Sequence, residues 1–526
     1  MNTYLIGMLI SMVAYIVIGL VISKKVKTSN DYYVAGRKAP TFLIVGSLVA
    51  SYCSTGIFMG TAGETYDGFF GPYIITPILI VGYLLGSIFF GKYLRRSEAL
   101  TISEFFEKRF NSKKLRVLSA IIALIVYIVY MLSIMQGIGA LMSYVTGLDY
   151  NLCILLALIT FTILTCTSGS KGVLITDTIM FGIFTIATIV SSILIINKAG
   201  GLYGAIESIT QVRPDMLSWH GNLNHLYDNG IENIIWAITT GVTWISVAMV
   251  APWQASRYLM AKNEHTVIRS SVFATLGVFL MEFLVSITAV IVFNINPSIE
   301  DPTYSMIWAS TNVLPTILGT IMLTGVLAAG ISSATTFMSL IGSSVANDIL
   351  SIQDDKKKVR VGKLSVIIGS IIIFLLAYFN PPNIYVILCL GATVVACSWL
   401  PICIASVWSK RITKTGAFCG MLSGFLVCSI MKIVLAITNT SLPAYLDPFF
   451  FGIIANILGM IIGSKVTRVS PKEKEEYEKL KTTPKSELDP KEIKITKRIV
   501  MSYFGIGIII TLMLIFMWVL PYTKSL

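Results

Sequence analysis

Charge is scarce in this chain: Asp, Glu, Lys and Arg make up 13% of its 526 residues, against roughly a quarter in an ordinary soluble domain. With 55% hydrophobic residues and a mean hydropathy of +0.79, that scarcity argues against a water-soluble fold. Histidine is rarer still. His220, His225 and His265 all fall in connections between apolar runs, so a histidine metal site or proton relay within a membrane has no raw material. Eight cysteines are present, at 53, 153, 166, 389, 397, 403, 419 and 428, but none stands at CxxC spacing and all lie in or beside apolar runs. Disulfide and zinc roles are therefore not expected. No basic residue precedes the first apolar run; Lys24 follows it, the reverse of a secretory leader, so that run is expected to be retained as a span. The strict alternation of a β-barrel is missing too, as the continuous run from Ile371 to Leu376 shows.

What is abundant is long apolar sequence. Runs near 3–23, 41–62, 72–93, 117–146, 151–167, 173–197, 231–255, 268–294, 311–346, 363–380, 384–408, 415–437, 447–466 and 499–521 predict an all-α membrane protein of about fourteen transmembrane helices in a lipid bilayer. A formal charge of +13 could instead point to nucleic acid, so the placement of the charges decides. Of the 40 Lys and Arg, all but Lys198, Arg213, Lys432 and Lys524 fall in or beside connections that follow odd-numbered runs. The excess is therefore an orientation signal. It predicts cytoplasmic odd connections, both termini outside and a multi-pass protein of the plasma membrane. No basic stripe interleaved with aromatics exists to hold nucleic acid.

The two longest connections are 199–230 and 467–498. The first, with Trp219 and Tyr227, is expected to form a short outer helix or lid. The second is charged and helix-prone with little to bury, and reads as a solvated linker.

Small and hydroxyl residues interrupt two spans: GSLVASYCSTGIFMGTAG at 46–63 and AITTGVTWISVAMVAPWQASR at 237–257, which includes Pro252. At that density they weaken the helix and leave backbone groups for neighbours or ligands to satisfy. Single stripes of this kind also serve close helix packing. Here the two broken spans open two consecutive five-helix blocks of opposite topology, the arrangement of inverted-repeat secondary transporters. The chain then divides into 1–40 (first helix and loop), 41–198 (first repeat), 199–230 (outer loop), 231–408 (second repeat) and 409–526 (peripheral helices with the 467–498 linker).

Candidate ion ligands lie in TGVLAAGISSATTFMSLIGSSVAND at 324–348, where Ser332, Ser333, Thr335 and Thr336 offer neutral oxygens within about one turn. Such hydroxyls also bond back to their own helix. Asp177, in KGVLITDTIMFGIF, is an intramembrane acid and so a functional candidate, although it could also cap or pair at the inner interface. Glu64 and Asp67 sit where the second span meets the outside; an ordinary polar helix end facing water is the favoured reading, and a vestibule that attracts cations is the alternative.

The segments DYYVAGR at 31–37, GTAGETYDGFFG at 60–71, TDT at 176–178 and LAAGISSATT at 327–336 together resemble the sodium:solute symporter family over roughly residues 1–465. That family includes proline, pantothenate, sialic acid and glucose cotransporters. The resemblance implies a LeuT-type five-plus-five inverted repeat, Na⁺ as coupling ion and a small organic solute as cargo. By the same resemblance, Na⁺ would be held by the carbonyls of Ala50, Cys53 and Ala329 and the hydroxyls of Ser332 and Ser333. A second Na⁺, found in some relatives, would use Asp177, Ser332, Thr335 and Thr336, with Thr where Ser is usual. Solute would meet Ser51, Ser54, Thr55, Trp244, Ala248 and Pro252. Tyr52 stands where proline symporters place an acid, and the block 377–417 looks most like the pantothenate branch, which inclines the reading toward a carboxylate-bearing solute. Proline, another amino acid or a sugar is the alternative. Proton coupling through Asp177 stays open. A channel lacks its rings of polar residues, an enzyme lacks a nucleophile-base pair, and a sensor lacks an appended domain.

Overall fold

The computed structural model describes residues 3–23, 29–70, 81–218, 220–223, 226–379 and 384–516. Twelve described helices are long and apolar enough to cross a membrane, or thirteen when one bent pair is counted as a single span. The remaining expected run, 72–93, begins at residues outside this set, as do Lys24, Gly71, Trp219, His225, Pro381, Pro382 and Lys524.

In chain order, α1 (Thr3–Ser23), α2 (Thr41–Tyr52), α3 (Gly56–Tyr66), α4 (82–96), α5 (Lys113–Thr146), α6 (Tyr150–Thr167) and α7 (Gly169–Lys198) make the first half. The second half holds α8 (Gly230–Val250), α9 (Pro252–Met260), α10 (Glu264–Ile295), α11 (Thr316–Ser343), α12 (Asp355–Phe379) and α13 (Ile384–Trp408). Outside it run α14 (Lys414–Thr438), α15 (Pro448–Lys465) and α16 (Pro490–Leu514).

Helix ends fall where the sequence supplies caps. Asp149, Asn229 and Asn263 accept backbone N–H groups at the starts of α6, α8 and α10, and Gly147, with φ of 72°, closes α5 in a left-handed turn. The expected connection between α6 and α7 is a kink at Gly169 rather than a loop, since only that residue leaves helical geometry (φ 56°, ψ −171°).

α2, α5, α7, α10, α11 and α13 form the buried middle, and α16 lies at its edge with Met501, Phe504 and Ile508 exposed, as a lipid-facing helix requires. α14 and α15 pair through small residues: a Cβ on Gly420 would fall 2.8 Å from the Asn456 carbonyl, so the backbones meet as small-residue stripes permit.

The segment 467–498 is not the free linker expected from its charge. Its helix Pro471–Lys481 starts with a capping box between Ser470 and Glu473 and docks on the bundle. The buried Arg109 guanidinium donates to Ser406 O (2.6 Å) and Glu473 O (3.0 Å), and Glu264 N–H donates to Glu487 Oε2 (3.1 Å). Charged sequence had partners in the span ends, which sequence pattern alone does not pair. The segment 199–230 contributes a helix, Gly201–Val212, and Arg213 Nη2 donates to Asp67 O at 3.1 Å.

Candidate functional site

The site begins at the break between α2 and α3. Cys53 leaves the helix with φ −72° and ψ 98°, and the chain resumes at Gly56 as a wide π turn, bent by 48°. Ser54 bridges the gap: its Oγ accepts Gly56 N–H at 3.1 Å and its carbonyl accepts Ile57 N–H at 3.1 Å. Regular i to i−4 pairing stops here, which frees carbonyl oxygens in a dry region.

One of these oxygens is met from α11. Ser333 Oγ donates to Ala50 O at 3.2 Å, and Ser332, also fully buried, has the Asp177 carboxyl as its polar neighbour. The structure thus joins Ala50 and Ser333 across the α2–α11 contact, while Cys53, Ser332 and Ala329, one turn before Ser333 on α11, are fully buried on the same two elements. Carbonyls and hydroxyls of this kind suit a hard monovalent cation. Thr335 is different: its Oγ1 donates to Ser332 O at 3.0 Å within its own helix.

The second predicted cluster already holds a cation. Asp177, on α7 and fully buried, accepts at Oδ2 from Ser47 Oγ (2.5 Å) and from Arg257 Nη2 (3.1 Å). Arg257 Nε donates to Ser47 Oγ at 2.9 Å, Nη2 to Thr336 Oγ1 at 2.5 Å, and Nη1 to Trp253 O at 2.8 Å. Arg257 enters because α9 begins anew at Pro252 and ends where Ala39 N–H donates to Met260 O (3.1 Å), tying α9 to the start of α2. In sequence Arg257 counts among the inner-side charges; its side chain turns inward instead. Asp177 Oδ1 is buried with no close hydrogen-bond partner among the described residues, and Ser332 is the carboxyl's further polar neighbour.

Beside the break lies a small cavity of about 30 Å³ lined by residues that include Ser51, Tyr52, Ser54, Thr61, Tyr130, Trp244, Trp253, Glu282, Ser333 and Tyr385. Of the six residues expected at the solute, it receives Ser51, Ser54 and Trp244. Thr55, Ala248 and Pro252 are not among its lining residues. Thr55 is clasped between α5 and α11, where a Cβ on Gly137 would fall 2.5 Å from its Oγ1, and Ala248 turns toward Gly82 of α4. Pro252 is the first residue of α9, so the second broken span parts at Ala251 (ψ 135°), below the hydroxyl-rich stretch rather than within it.

Sequence reasoning missed Glu282, although a lone acid in an apolar run is the same signal that marks Asp177. A second hollow, of about 300 Å³, is lined by residues that include Glu64, Asp67 and Asp301 and shares Tyr385 with the first. Glu64 and Asp67, read from sequence as a polar span end, thus border a hollow together with Asp301.

Comparison with known proteins agrees with this architecture. The chain is similar to the sodium/pantothenate symporter of Escherichia coli (strain K12), at 22% identity over 87% of this chain and 96% of that one. It is similar to the Staphylococcus aureus sodium/proline symporter at 25% identity over 84% and 87%. Among solved structures, the substrate-bound outward-open state of a Na⁺-coupled sialic acid symporter superposes with a TM-score of 0.75 at 17% identity, covering 89% of this chain and 99% of that one. A nucleobase-cation-symport-1 family transporter, MHP1, superposes with a TM-score of 0.58 at 13% identity over 85% and 98%. The fold is accordingly of the LeuT type. Residues 32–424, with the helix break and the α11 hydroxyls inside them, match the sodium:solute symporter family, and the chain belongs to that family.

Proposed function

We propose that this protein imports a small organic solute together with one Na⁺, held between α2 and α11 by the carbonyls of Ala50, Cys53 and Ala329 and the hydroxyls of Ser332 and Ser333. The observation that carries this reading is the position of Ser333. Its hydroxyl touches the freed Ala50 carbonyl and also lines the solute cavity, so ion and solute share one side chain. An ion there ties α2 to α11 and completes the cavity wall. By linkage, solute then tightens sodium binding by the same factor that sodium tightens solute binding.

A second Na⁺ on Asp177, Ser332, Thr335 and Thr336 would have to share Asp177 with Arg257 and leave a net positive charge in a dry site, which is costly. The guanidinium supplies that charge instead. Cations reach the site through the acidic vestibule, and Tyr385, common to both hollows, stands between vestibule and cavity.

The helix breaks at Cys53 and Ala251 open the blocks 41–198 and 231–408, which rock against each other as inverted repeats. The distribution of Lys and Arg supports a topology with this acidic hollow and both termini outside a plasma membrane. One Na⁺ entering at −100 mV contributes about 2.3 kcal/mol, enough for roughly a 40-fold gradient of a neutral solute.

Proteoliposomes test this with tritiated proline and pantothenate, the solutes named for the similar symporters. Accumulation is expected with sodium outside at fixed pH, and none when potassium replaces it. Equal accumulation in both, collapsed by a proton carrier, would move the reading to proton coupling.

A further inference from the structure

Among the described residues the solute cavity carries one charged side chain, and it is an acid. Glu282 sits on α10 among Met281, Val285 and Ser286, is 6% exposed, and faces the cavity. It makes no hydrogen bond or ion pair with any described residue. No Lys, Arg or His among the described residues lines the cavity, and the buried guanidinium of Arg257 is engaged by Asp177, Ser47, Thr336 and the Trp253 carbonyl. A carboxylate kept in an apolar span without a partner is costly, so such a group marks a ligand or a charge to be met.

The walls around it narrow the kind of charge. Tyr52 and Trp244 meet edge to face at 5.5 Å, Tyr130 lies 4.5 Å from Trp253, and Phe337 packs on Tyr130 at 5.3 Å and on Trp253 at 5.1 Å. Aromatic faces attract an organic ammonium but offer poor ligands to a small metal cation, which needs a shell of oxygens. Ser51, Ser54 and Thr61 supply hydroxyls on the α2–α3 side for the polar remainder of a solute.

We propose that the transported solute bears a protonated amine or quaternary ammonium group, that this group pairs with Glu282 inside the aromatic walls, and that Glu282 is the residue that selects it. The proposal rests on the cavity being the solute site. It adds the charge class, which neither the family nor the α11 hydroxyls specify. A solute carrying only negative charge, such as pantothenate, would meet Glu282 with like charge in a poorly screened site.

Trp244 and Trp253 line the cavity, so intrinsic fluorescence of the purified full-length protein reads occupancy. The probes are choline and proline, which carry ammonium groups, against pantothenate and 3,3-dimethyl-1-butanol, the neutral counterpart of choline. In sodium chloride, saturable quenching is expected for at least one ammonium probe, with an apparent Kd at least tenfold below that of either comparator. Glu282→Gln should erase this preference, and Glu282→Asp should keep most of it. The sodium-induced rise in thermal stability without solute should survive in both variants, because Glu282 is not a sodium ligand. The proposal is overturned if neither ammonium probe quenches saturably, if a comparator binds as tightly, or if Glu282→Gln retains the preference. Absence of the sodium-induced stabilisation in the unmodified protein would instead overturn the sodium site, so the two failures are told apart.

Discussion

Arg257 donates to Asp177 across 3.1 Å in a region closed to solvent, one residue from the end of a broken span and the other from the middle of a kinked helix pair. Breaking such a pair by removing one partner leaves the other charge buried alone, at about 3–5 kcal/mol. Asp177→Asn should therefore unfold at markedly lower temperature in detergent. Asp177→Asn combined with Arg257→Gln should recover part of the loss, because no charge is then stranded. Equal stability of Asp177→Asn and the unmodified protein would show that the pair is not formed.

The same pair fixes the expected sodium count. With Arg257 in place, the sodium dependence of uptake should follow a Hill coefficient of about 1, since cooperativity cannot exceed the number of sites. Arg257→Gln vacates the second cluster and should steepen the dependence. A coefficient near 2 in the unmodified protein would mean that Arg257 and a second ion share Asp177.

Close helix packing at the break gives a third expectation. A methyl group on Gly137 would fall 2.5 Å from Thr55 Oγ1, and one on Gly330 would fall 2.8 Å from Ile138 Cδ1. Overpacking of this kind costs about 1–3 kcal/mol. Gly137→Ala should lower both thermal stability and uptake, whereas Gly182→Ala, with nothing within 4 Å, should be neutral or slightly stabilising. Gly137→Ala with unchanged uptake would show that Thr55 and its neighbours are free to move.

Docking of the segment 471–498 can be read by proteolysis. Arg109 anchors it through Glu473 O at 3.0 Å while its Nε holds Ser406 O at 2.6 Å. A hydrogen bond to a charged group is worth about 1.5–3 kcal/mol, so Arg109→Ala should expose the Lys-rich helix Pro471–Lys481 to trypsin at least tenfold faster. Cleavage at the unmodified rate would mean that Arg96, which donates to Leu480 O and Thr483 Oγ1, and the Glu264 N–H on Glu487 hold the segment without it.

Much of this was legible in the sequence, and the reasons for the exceptions are physical. Apolar length sets the spans. Small and hydroxyl residues set the break at Cys53, and the LAAGISSATT run sets the α11 face, because each of these signals is local. Arg257 was not legible: a basic residue at a span end reads as an orientation charge, and only the restart of α9 at Pro252 shows it turning inward. The placement of Thr55 and Ala248 was lost for a similar reason, since which side of a helix faces a cavity depends on neighbours such as Gly137 and Gly82. Glu282 carried a readable signal, a single acid within VFLMEFLVSITAV, but its relation to Trp244 and Tyr130 is a matter of tertiary packing.

Binding of radioactive sodium to the purified protein tests the central claim most directly. Saturable binding is expected in the unmodified protein and in Thr335→Ala, whose hydroxyl serves its own helix. Ser333→Ala should weaken it at least tenfold. Sodium affinity unchanged by Ser333→Ala would contradict the account.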